Sequence, residues 1–145
     1  LEPDIVASMQ SAEVLTQSNS GSTLVLAIDY GGQWDVGQAT KKIAIEVARG
    51  NIDVQTVDEF LVAQYMSLSD LPALDLCIRT GAEQRISNFL LWDIAYAELY
   101  FTEHFWPDFN EQAFEQALLE YSSRQRRFGQ TSEQVDVNSS IGIKR

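Results

Sequence analysis

Two arginines and a serine flank a glycine-containing loop in the middle of the sequence. Arg79 and Arg85 lie on either side of Gly81, and Ser87 follows shortly after the second arginine. Guanidinium groups pair bidentately with phosphate oxygens, and a serine hydroxyl together with the first amides of a helix can donate further hydrogen bonds to the same anion. These residue types in this order suit the binding of a diphosphate at Arg79, Arg85 and Ser87.

The same residues also have a simpler interpretation as ordinary surface groups. Glu83 lies between the two arginines and could be the ion partner of both, and Ser87 could act only as a helix cap. Because surface ion pairs and helix caps are common, the residue types alone favour this surface interpretation over a diphosphate site.

The elements that must position the loop follow from the hydrophobic pattern. Short apolar runs predict buried strands over residues 24–28 and 74–78, and the aromatic content of residues 98–101 favours a third strand. Thr56 and Glu59 resemble a capping box at the start of a helix. Helical spacing of apolar side chains predicts further helices over residues 5–15, 36–47, 88–97 and 111–127. This alternation predicts an α/β fold with a largely parallel sheet and helices on both faces, in which ligands bind beyond the carboxyl ends of the strands.

The composition excludes several classes of function. The formal net charge is −11, whereas a nucleic-acid-binding protein needs a basic face, so no nucleic-acid partner is expected. No apolar run approaches the roughly 20 residues that span a bilayer. The lone cysteine, Cys77, is expected to be a buried thiol, and the lone histidine, His104, is expected to be structural rather than a metal ligand. A single cysteine is typical of the reducing cytoplasm, which is the expected location.

Three blocks of the sequence carry a family resemblance. The main block spans residues 78–92, IRTGAEQRISNFLLW, and continues through YAELYF at residues 96–101 to WPDF at residues 106–109. An earlier block, YGG followed by WD, lies within residues 30–35, and a later one, RQRRFG, spans residues 124–129. In this order, over nearly the whole chain, the blocks resemble those of the undecaprenyl diphosphate synthases, a family of cis-prenyltransferases, in their carboxy-terminal portion.

The resemblance implies roles for particular positions. Those that match the family's isopentenyl diphosphate site are Arg79, Arg85 and Ser87. Glu98 matches an acidic position implicated in Mg²⁺ binding near that diphosphate. Arg127 and Gly129 match a terminal element that reaches across a dimer to the substrate phosphates of the partner subunit.

The resemblance also implies a reaction. The family condenses isopentenyl diphosphate onto farnesyl diphosphate with new double bonds in the cis geometry, releases diphosphate at each step, and requires Mg²⁺. The product is the polyprenyl carrier lipid of cell-wall synthesis. A cytoplasmic homodimer that contacts the membrane peripherally through its lipid product is therefore expected.

The sequence departs from the family in two ways. The family's amino-terminal block, a His-Gly-Asn-Gly-Arg-Trp-type loop preceded by a catalytic aspartate, has no counterpart here, so no catalytic residue is assigned and the chain by itself is expected to be inactive. Residues 1–129 are expected to form the carboxy-terminal part of a cis-prenyltransferase domain, and residues 130–145 a disordered acidic and polar tail. The family usually has Asn, Arg, Gly and His at the positions held here by Asp29, Gln33, Ala82 and Gln84.

Two other functions stay open. The chain could be a non-catalytic partner subunit of the same fold, or an α/β interaction domain whose arginines are surface groups.

The distance between Glu98 and Ser87 needs an explanation. If residues 88–97 are helical, Glu98 lies about 15 Å along the helix axis from Ser87. Either that helix is broken, or Glu98 serves a site shared across the dimer.

Overall fold

The structure, a computed structural model, describes residues 1–124. These residues form four α-helices and two β-strands in mixed order along the chain. The helices are α1 (Pro3–Thr16), α2 (Gly32–Ala48), α3 (Glu59–Tyr65) and α4 (Glu111–Ser123), and the strands are β1 (Leu76–Arg79) and β2 (Glu98–Phe101). Short 3-10 turns cover Val54–Thr56, Asp93–Tyr96 and Trp106–Asp108.

The two strands pair in parallel, which confirms the predicted α/β class with a parallel sheet. Leu76 lies opposite Glu98, and Arg79 lies opposite Phe101. The strands predicted near residues 74–78 and 98–101 are therefore both present. Because the strands are parallel, Arg79 lies at the carboxyl end of the sheet and Glu98 at its amino end.

The strand predicted over residues 24–28 is wrong. This segment has no regular secondary structure, and its side chains are exposed, with Leu24 at 83% and Leu26 at 64%. A strand is stable only where a neighbouring strand completes its backbone hydrogen bonds. Within residues 1–124, the sheet contains only β1 and β2, so this apolar run has no strand to pair with.

The helix predicted over residues 88–97 is also wrong. Ser87, Asn88 and Leu90 have φ angles of 47°, 64° and 44°. Left-handed residues cannot continue a right-handed helix, so the chain forms tight turns and then the 3-10 turn Asp93–Tyr96 before β2 begins. For the same reason, Ser87 does not cap a helix.

The remaining helices agree with their hydrophobic patterns, with one correction to a cap. Asp58 rather than Thr56 caps α3, since its carboxylate accepts a hydrogen bond from the Leu61 amide at 2.8 Å. The Thr56 hydroxyl instead donates to the Asp53 carbonyl at 2.8 Å. The predicted tail over residues 130–145 lies outside the described residues.

The buried side chains come from α2, from α4, from the end of α3 and from the turns before β2. Helix α2 packs against α3, and α4 lies beside β2. The buried apolar residues are Ala39, Ile43, Met66, Leu90 and Ala117. Asp35, in the first turn of α2, is buried with them at 1% exposure. Each helix within residues 1–124 is too short or too polar to cross a bilayer.

Candidate functional site

A cavity of about 240 Å³ opens beside the carboxyl end of β1. Arg79 and Arg85 line it together with Thr80. The rest of its wall is apolar and is formed by Cys77, Ile78, Ile86, Phe89, Leu99 and Phe101. The cavity is therefore lined by both cationic and apolar side chains.

The two guanidinium groups at this cavity converge on one carboxylate. Arg85 Nε and Nη2 lie 2.5 Å and 2.6 Å from the Glu83 oxygens, and Arg79 Nη2 lies 3.3 Å from Glu83 Oε2. Both arginines are thus ion partners of Glu83, as in the surface interpretation, and both also face one small space. Two cations share one anion, which leaves a formal charge of +1 at the cavity. The hydrogen bond from Arg85 holds the pKa of Glu83 below its ordinary value.

The loop between the arginines has an unusual backbone. Gly81 and Ala82 have φ angles of 83° and 60°. Their amides are attached to the segment after β2, since Gly81 N donates to the His104 carbonyl at 2.7 Å and Ala82 N to the Thr102 carbonyl at 3.0 Å. A left-handed φ is costly for alanine and not for glycine, so Ala82 adopts a strained backbone that glycine would adopt without strain.

Ser87 and Glu98 do not join the two arginines. Ser87 is exposed on the following turn and does not line the cavity. Glu98 lies three residues before the position opposite Arg79, about 10 Å along the strand. The predicted helix over residues 88–97 would have separated Glu98 from Ser87, and it is absent. Glu98 nevertheless lies at the opposite end of the sheet from Arg79.

Glu98 belongs to a second ion cluster at the amino end of the sheet. Arg124 Nη1 lies 3.1 Å from Glu98 Oε2 and donates to the Leu99 carbonyl at 2.8 Å, and its Nη2 contacts Glu120. Hydrogen bonds to Glu120 and Glu98 raise the pKa of Arg124 above its ordinary value. This cluster ties the end of α4 to β2.

The described residues do not fit a complete magnesium site. Within residues 1–124, no group of three or more His, Cys, Asp or Glu side chains could hold a metal ion. Mg²⁺ requires a near-octahedral set of oxygen ligands, whereas Glu98 offers one carboxylate that is already paired with Arg124.

Sequence reasoning missed a buried carboxylate close to the cavity wall. Asp35 accepts hydrogen bonds from the Tyr30 hydroxyl at 3.0 Å and from the Ser67 hydroxyl at 2.7 Å and amide at 3.1 Å. Burial, followed by the hydrogen bond to Asp35, raises the pKa of Tyr30 to about 12. The signal was present in the sequence, because Asp35, Ala39 and Ile43 recur at four-residue spacing and so share the buried stripe of α2.

The remaining residues that the sequence singled out are Cys77, His104, Arg127 and Gly129. Cys77 is half-buried in the cavity wall, and burial raises the pKa of its thiol. His104 is exposed, and its contribution is the carbonyl that anchors Gly81. Arg127 and Gly129 lie outside the described residues.

Comparison with known sequences decides the family. The sequence model of the family described as "Putative undecaprenyl diphosphate synthase" matches residues 1–129. The chain belongs to this family.

Relatives within the undecaprenyl diphosphate synthase family are close in sequence. The chain is 51% identical over 137 residues to the "Ditrans,polycis-undecaprenyl-diphosphate synthase ((2E,6E)-farnesyl-diphosphate specific)" of Pseudomonas syringae pv. tomato, a match that covers 94% of this chain and 55% of the relative. It is 50% identical over 123 residues to the protein of the same description from Escherichia coli K12, covering 85% of this chain and 49% of that protein. The chain therefore spans about half the length of the curated relatives it matches.

Solved structures with the same fold agree with this assignment. Lavandulyl diphosphate synthase from Lavandula x intermedia, solved in complex with dimethylallyl diphosphate, superposes with a TM-score of 0.83 at 38% identity, covering 86% of this chain and 54% of that one. A probable undecaprenyl diphosphate synthase from Campylobacter jejuni gives a TM-score of 0.73 at 30% identity, covering 90% of this chain and 58% of that one. The two-stranded sheet and its helices are thus part of the fold of the undecaprenyl diphosphate synthase family.

Proposed function

We propose that this chain is part of a prenyltransferase that condenses isopentenyl diphosphate onto farnesyl diphosphate with cis geometry. Curated relatives at 49–52% identity are described as farnesyl-diphosphate-specific undecaprenyl diphosphate synthases. In this proposal the product is the polyprenyl carrier lipid of cell-wall synthesis, and the cavity beside β1 receives isopentenyl diphosphate.

The observation that supports this proposal is the mixed lining of the cavity, which combines two arginines with apolar side chains. Isopentenyl diphosphate has a highly charged head and a short branched hydrocarbon tail. Arg79 and Arg85 offer two forked cations to the head, and the wall around Phe89 and Leu99 offers an apolar surface to the tail. A site that was only a surface ion cluster would not need the apolar side chains.

The role of the chain's residues in this reaction is to position a substrate. Arg79 and Arg85 exchange their shared partner Glu83 for the oxygens of the diphosphate, which fixes one end of the molecule. The apolar wall then directs the hydrocarbon tail and keeps water away from it. Holding a reactant in one orientation lowers the entropic part of the barrier to condensation.

Several further features are part of the same proposal. The enzyme is a cytoplasmic homodimer that touches the membrane through its lipid product, and it depends on Mg²⁺. Glu98 serves a site that is completed by another part of the protein or by the partner subunit, since it lies at the opposite end of the sheet from Arg79. Ser87, Arg127 and Gly129 supply further contacts to substrate phosphates.

Kinetics of a full-length synthase that carries this sequence test the proposed site. Arg79→Ala and Arg85→Ala should each raise the KM for isopentenyl diphosphate about 10- to 100-fold, the cost of losing a hydrogen bond to a charged group, with little change in the KM for farnesyl diphosphate. Arg49→Ala is the matched control, because Arg49 is an exposed arginine paired with Glu46 at the far end of α2. If all three substitutions had equally small effects on the KM for isopentenyl diphosphate, the site would be wrong.

A further inference from the structure

The first turn of α2 is capped by a residue that lies 55 positions away in the sequence. Gly32 N donates to the Asn88 carbonyl at 2.7 Å, and Gln33 N donates to Asn88 Oδ1 at 2.8 Å. The N-cap residue of α2 itself, Gly31, has no side chain that could accept these bonds. Two of the amides that a helix leaves unpaired at its start are therefore satisfied by Asn88.

The contact between α2 and the turn around Asn88 is too close for larger residues. A Cβ at Gly32 would lie 2.7 Å from both the Leu91 Cβ and its backbone nitrogen, and 3.0 Å from the Asn88 carbonyl. A Cβ at Gly31 would lie 3.0 Å from Asn88 Nδ2. The two glycines thus let the helix start lie directly against the turn.

The backbone of Asn88 is shaped for this role. Its φ of 64° lies in the left-handed region, which asparagine tolerates better than most residues with a side chain. In this conformation both the carbonyl and the side-chain oxygen of Asn88 reach α2. Asparagine at position 88 therefore tolerates the left-handed backbone and also places a side-chain oxygen within hydrogen-bond distance of Gln33 N.

A ring contact extends the same junction to the cavity. The Tyr30 and Phe89 rings meet edge to face, with centroids 6.1 Å apart and planes at 82°. Phe89 lines the cavity, and Tyr30 is held by its hydrogen bond to the buried Asp35. The start of α2 therefore supports the cavity wall at the residue that follows Asn88.

We propose that Asn88 is a positioning residue for the diphosphate cavity. Asn88 binds the first turn of α2 and so fixes the chain turn that it shares with Phe89. Because this turn follows Arg85 and Ser87, the position of Arg85 relative to the apolar wall of the cavity is fixed as well. The amides of Gly32 and Gln33 serve as an anchor for this turn rather than as donors to a phosphate. This inference rests on the proposed function of the cavity.

Three substitutions at Asn88 in a full-length synthase that carries this sequence separate the capping bond from the backbone. Asn88→Gly keeps the left-handed backbone and removes the side-chain acceptor, and we expect it to raise the KM for isopentenyl diphosphate about fivefold, the effect of losing one hydrogen bond. Asn88→Asp keeps an acceptor in the same place and should stay within about twofold of the parent. Asn88→Ala removes the acceptor and adds backbone strain, so its KM should rise at least as far as that of Asn88→Gly.

Asn110→Ala is the matched control for a general loss of stability, because alanine at a helix N-cap costs about 1 kcal/mol. Asn110 caps α4 through its side-chain oxygen, which accepts from Ala113 N at 3.1 Å. This control should lower the thermal midpoint about as much as Asn88→Gly and leave the KM for isopentenyl diphosphate unchanged. If Asn88→Gly also lowered only the midpoint, or if Asn88→Asp failed to restore the KM, the positioning role would be overturned.

Parallel measurements distinguish this inference from the proposed function. If Arg85→Ala raises the KM and Asn88→Gly does not, the cavity binds the substrate but Asn88 does not position it. If Arg85→Ala also has no effect, the proposed function fails and the positioning role fails with it. Should Asn88→Gly not fold, Gly31→Ala disturbs the same contact through a Cβ 3.0 Å from Asn88 Nδ2. That variant should raise the KM about twofold, as expected from a modest overpacking of one contact, and an unchanged KM would overturn the inference.

Discussion

The two ends of the small parallel sheet carry the same kinds of side chain in opposite proportions. At the carboxyl end, Arg79 and Arg85 share the carboxylate of Glu83. At the amino end, Glu98 and Glu120 share the guanidinium of Arg124. The first cluster has a formal excess of one positive charge and the second an excess of one negative charge. The number of ion pairs therefore says less about function than the charge that the pairs leave uncompensated.

The two ends also differ in backbone conformation. Within residues 81–90, five residues have a positive φ: Gly81, Ala82, Ser87, Asn88 and Leu90. Near Glu98 and Arg124, the described residues have none. Costly backbone conformations persist where the surrounding structure imposes them, and they concentrate at functional sites. The positive φ angles therefore support the proposed binding role of the carboxyl end, whereas at the amino end the described contacts join α4 to β2.

Charge reversal at each end tests this contrast most strongly. Arg85→Glu changes the carboxyl-end cluster from two cations and one anion to one cation and two anions, and should raise the KM for isopentenyl diphosphate on the order of 100-fold. Glu98→Arg should change the same KM by less than about threefold, whatever its effect on kcat, because Glu98 lies about 10 Å along the strand from Arg79. Equal effects on KM would show that the two ends act as one site.

Removal of Arg124 tests whether the amino end is structural. Arg124→Ala deletes the contacts to Glu98, Glu120 and the Leu99 carbonyl. It should lower the free energy of unfolding by about 1.5 kcal/mol, a value reduced for partial exposure, and leave the KM for isopentenyl diphosphate unchanged. Urea titration together with steady-state kinetics measures both quantities. An altered KM at unchanged stability would contradict the assignment.

Relief of backbone strain tests the carboxyl-end loop. Ala82→Gly should raise the free energy of unfolding by about 0.7 kcal/mol, because glycine adopts a φ of 60° without the cost that a Cβ imposes. Ala95→Gly is the control, since Ala95 lies in the 3-10 turn Asp93–Tyr96 of the same connection and is not among the residues of positive φ. That control should be destabilising. A loss of stability in both variants would refute the strain at Ala82.

Removal of the shared carboxylate has the smallest expected effect. Glu83→Gln frees Arg79 and Arg85 from their anionic partner, so isopentenyl diphosphate should bind about threefold more tightly than to the parent protein. The pKa of Glu83 is lowered from its ordinary 4.5, so the carboxylate stays charged as the pH falls from 8 to 5.5. The ratio of the two dissociation constants, measured by calorimetry, should therefore stay constant over that range. A ratio that falls towards one within it would mean that Glu83 titrates there.

The sequence predicted the parts of the fold that depend on local pattern. The strand at residues 98–101, the helix α2 and the helix α4 each carry a period or composition that one element alone explains. The convergence of Arg79 and Arg85 followed from their position at the carboxyl end of a strand. The family followed from three blocks in a fixed order.

The parts that were missed depend on contacts between distant residues. The apolar spacing of residues 88–97 suits a helix, but Asn88 and Leu90 adopt a left-handed backbone where this turn lies against Gly31 and Gly32. No local sequence pattern displays that contact. The role of Asn88 as a cap was hidden for the same reason. Asp35 was visible as a carboxylate on an apolar stripe, but its partner Ser67 is 32 residues away.

The exposed segment at residues 24–28 has a consequence for the association of this chain when it is prepared by itself. It presents a short uncharged run without proline, in which Leu24, Val25, Leu26 and Ile28 are between 46% and 83% exposed. Such a run can act as a template for strand pairing between molecules, and proteins commonly guard it with a charged gatekeeper residue. Leu24→Lys would place such a charge at the most exposed position of the run, and we expect it to lower the tendency of the isolated chain to associate through this segment.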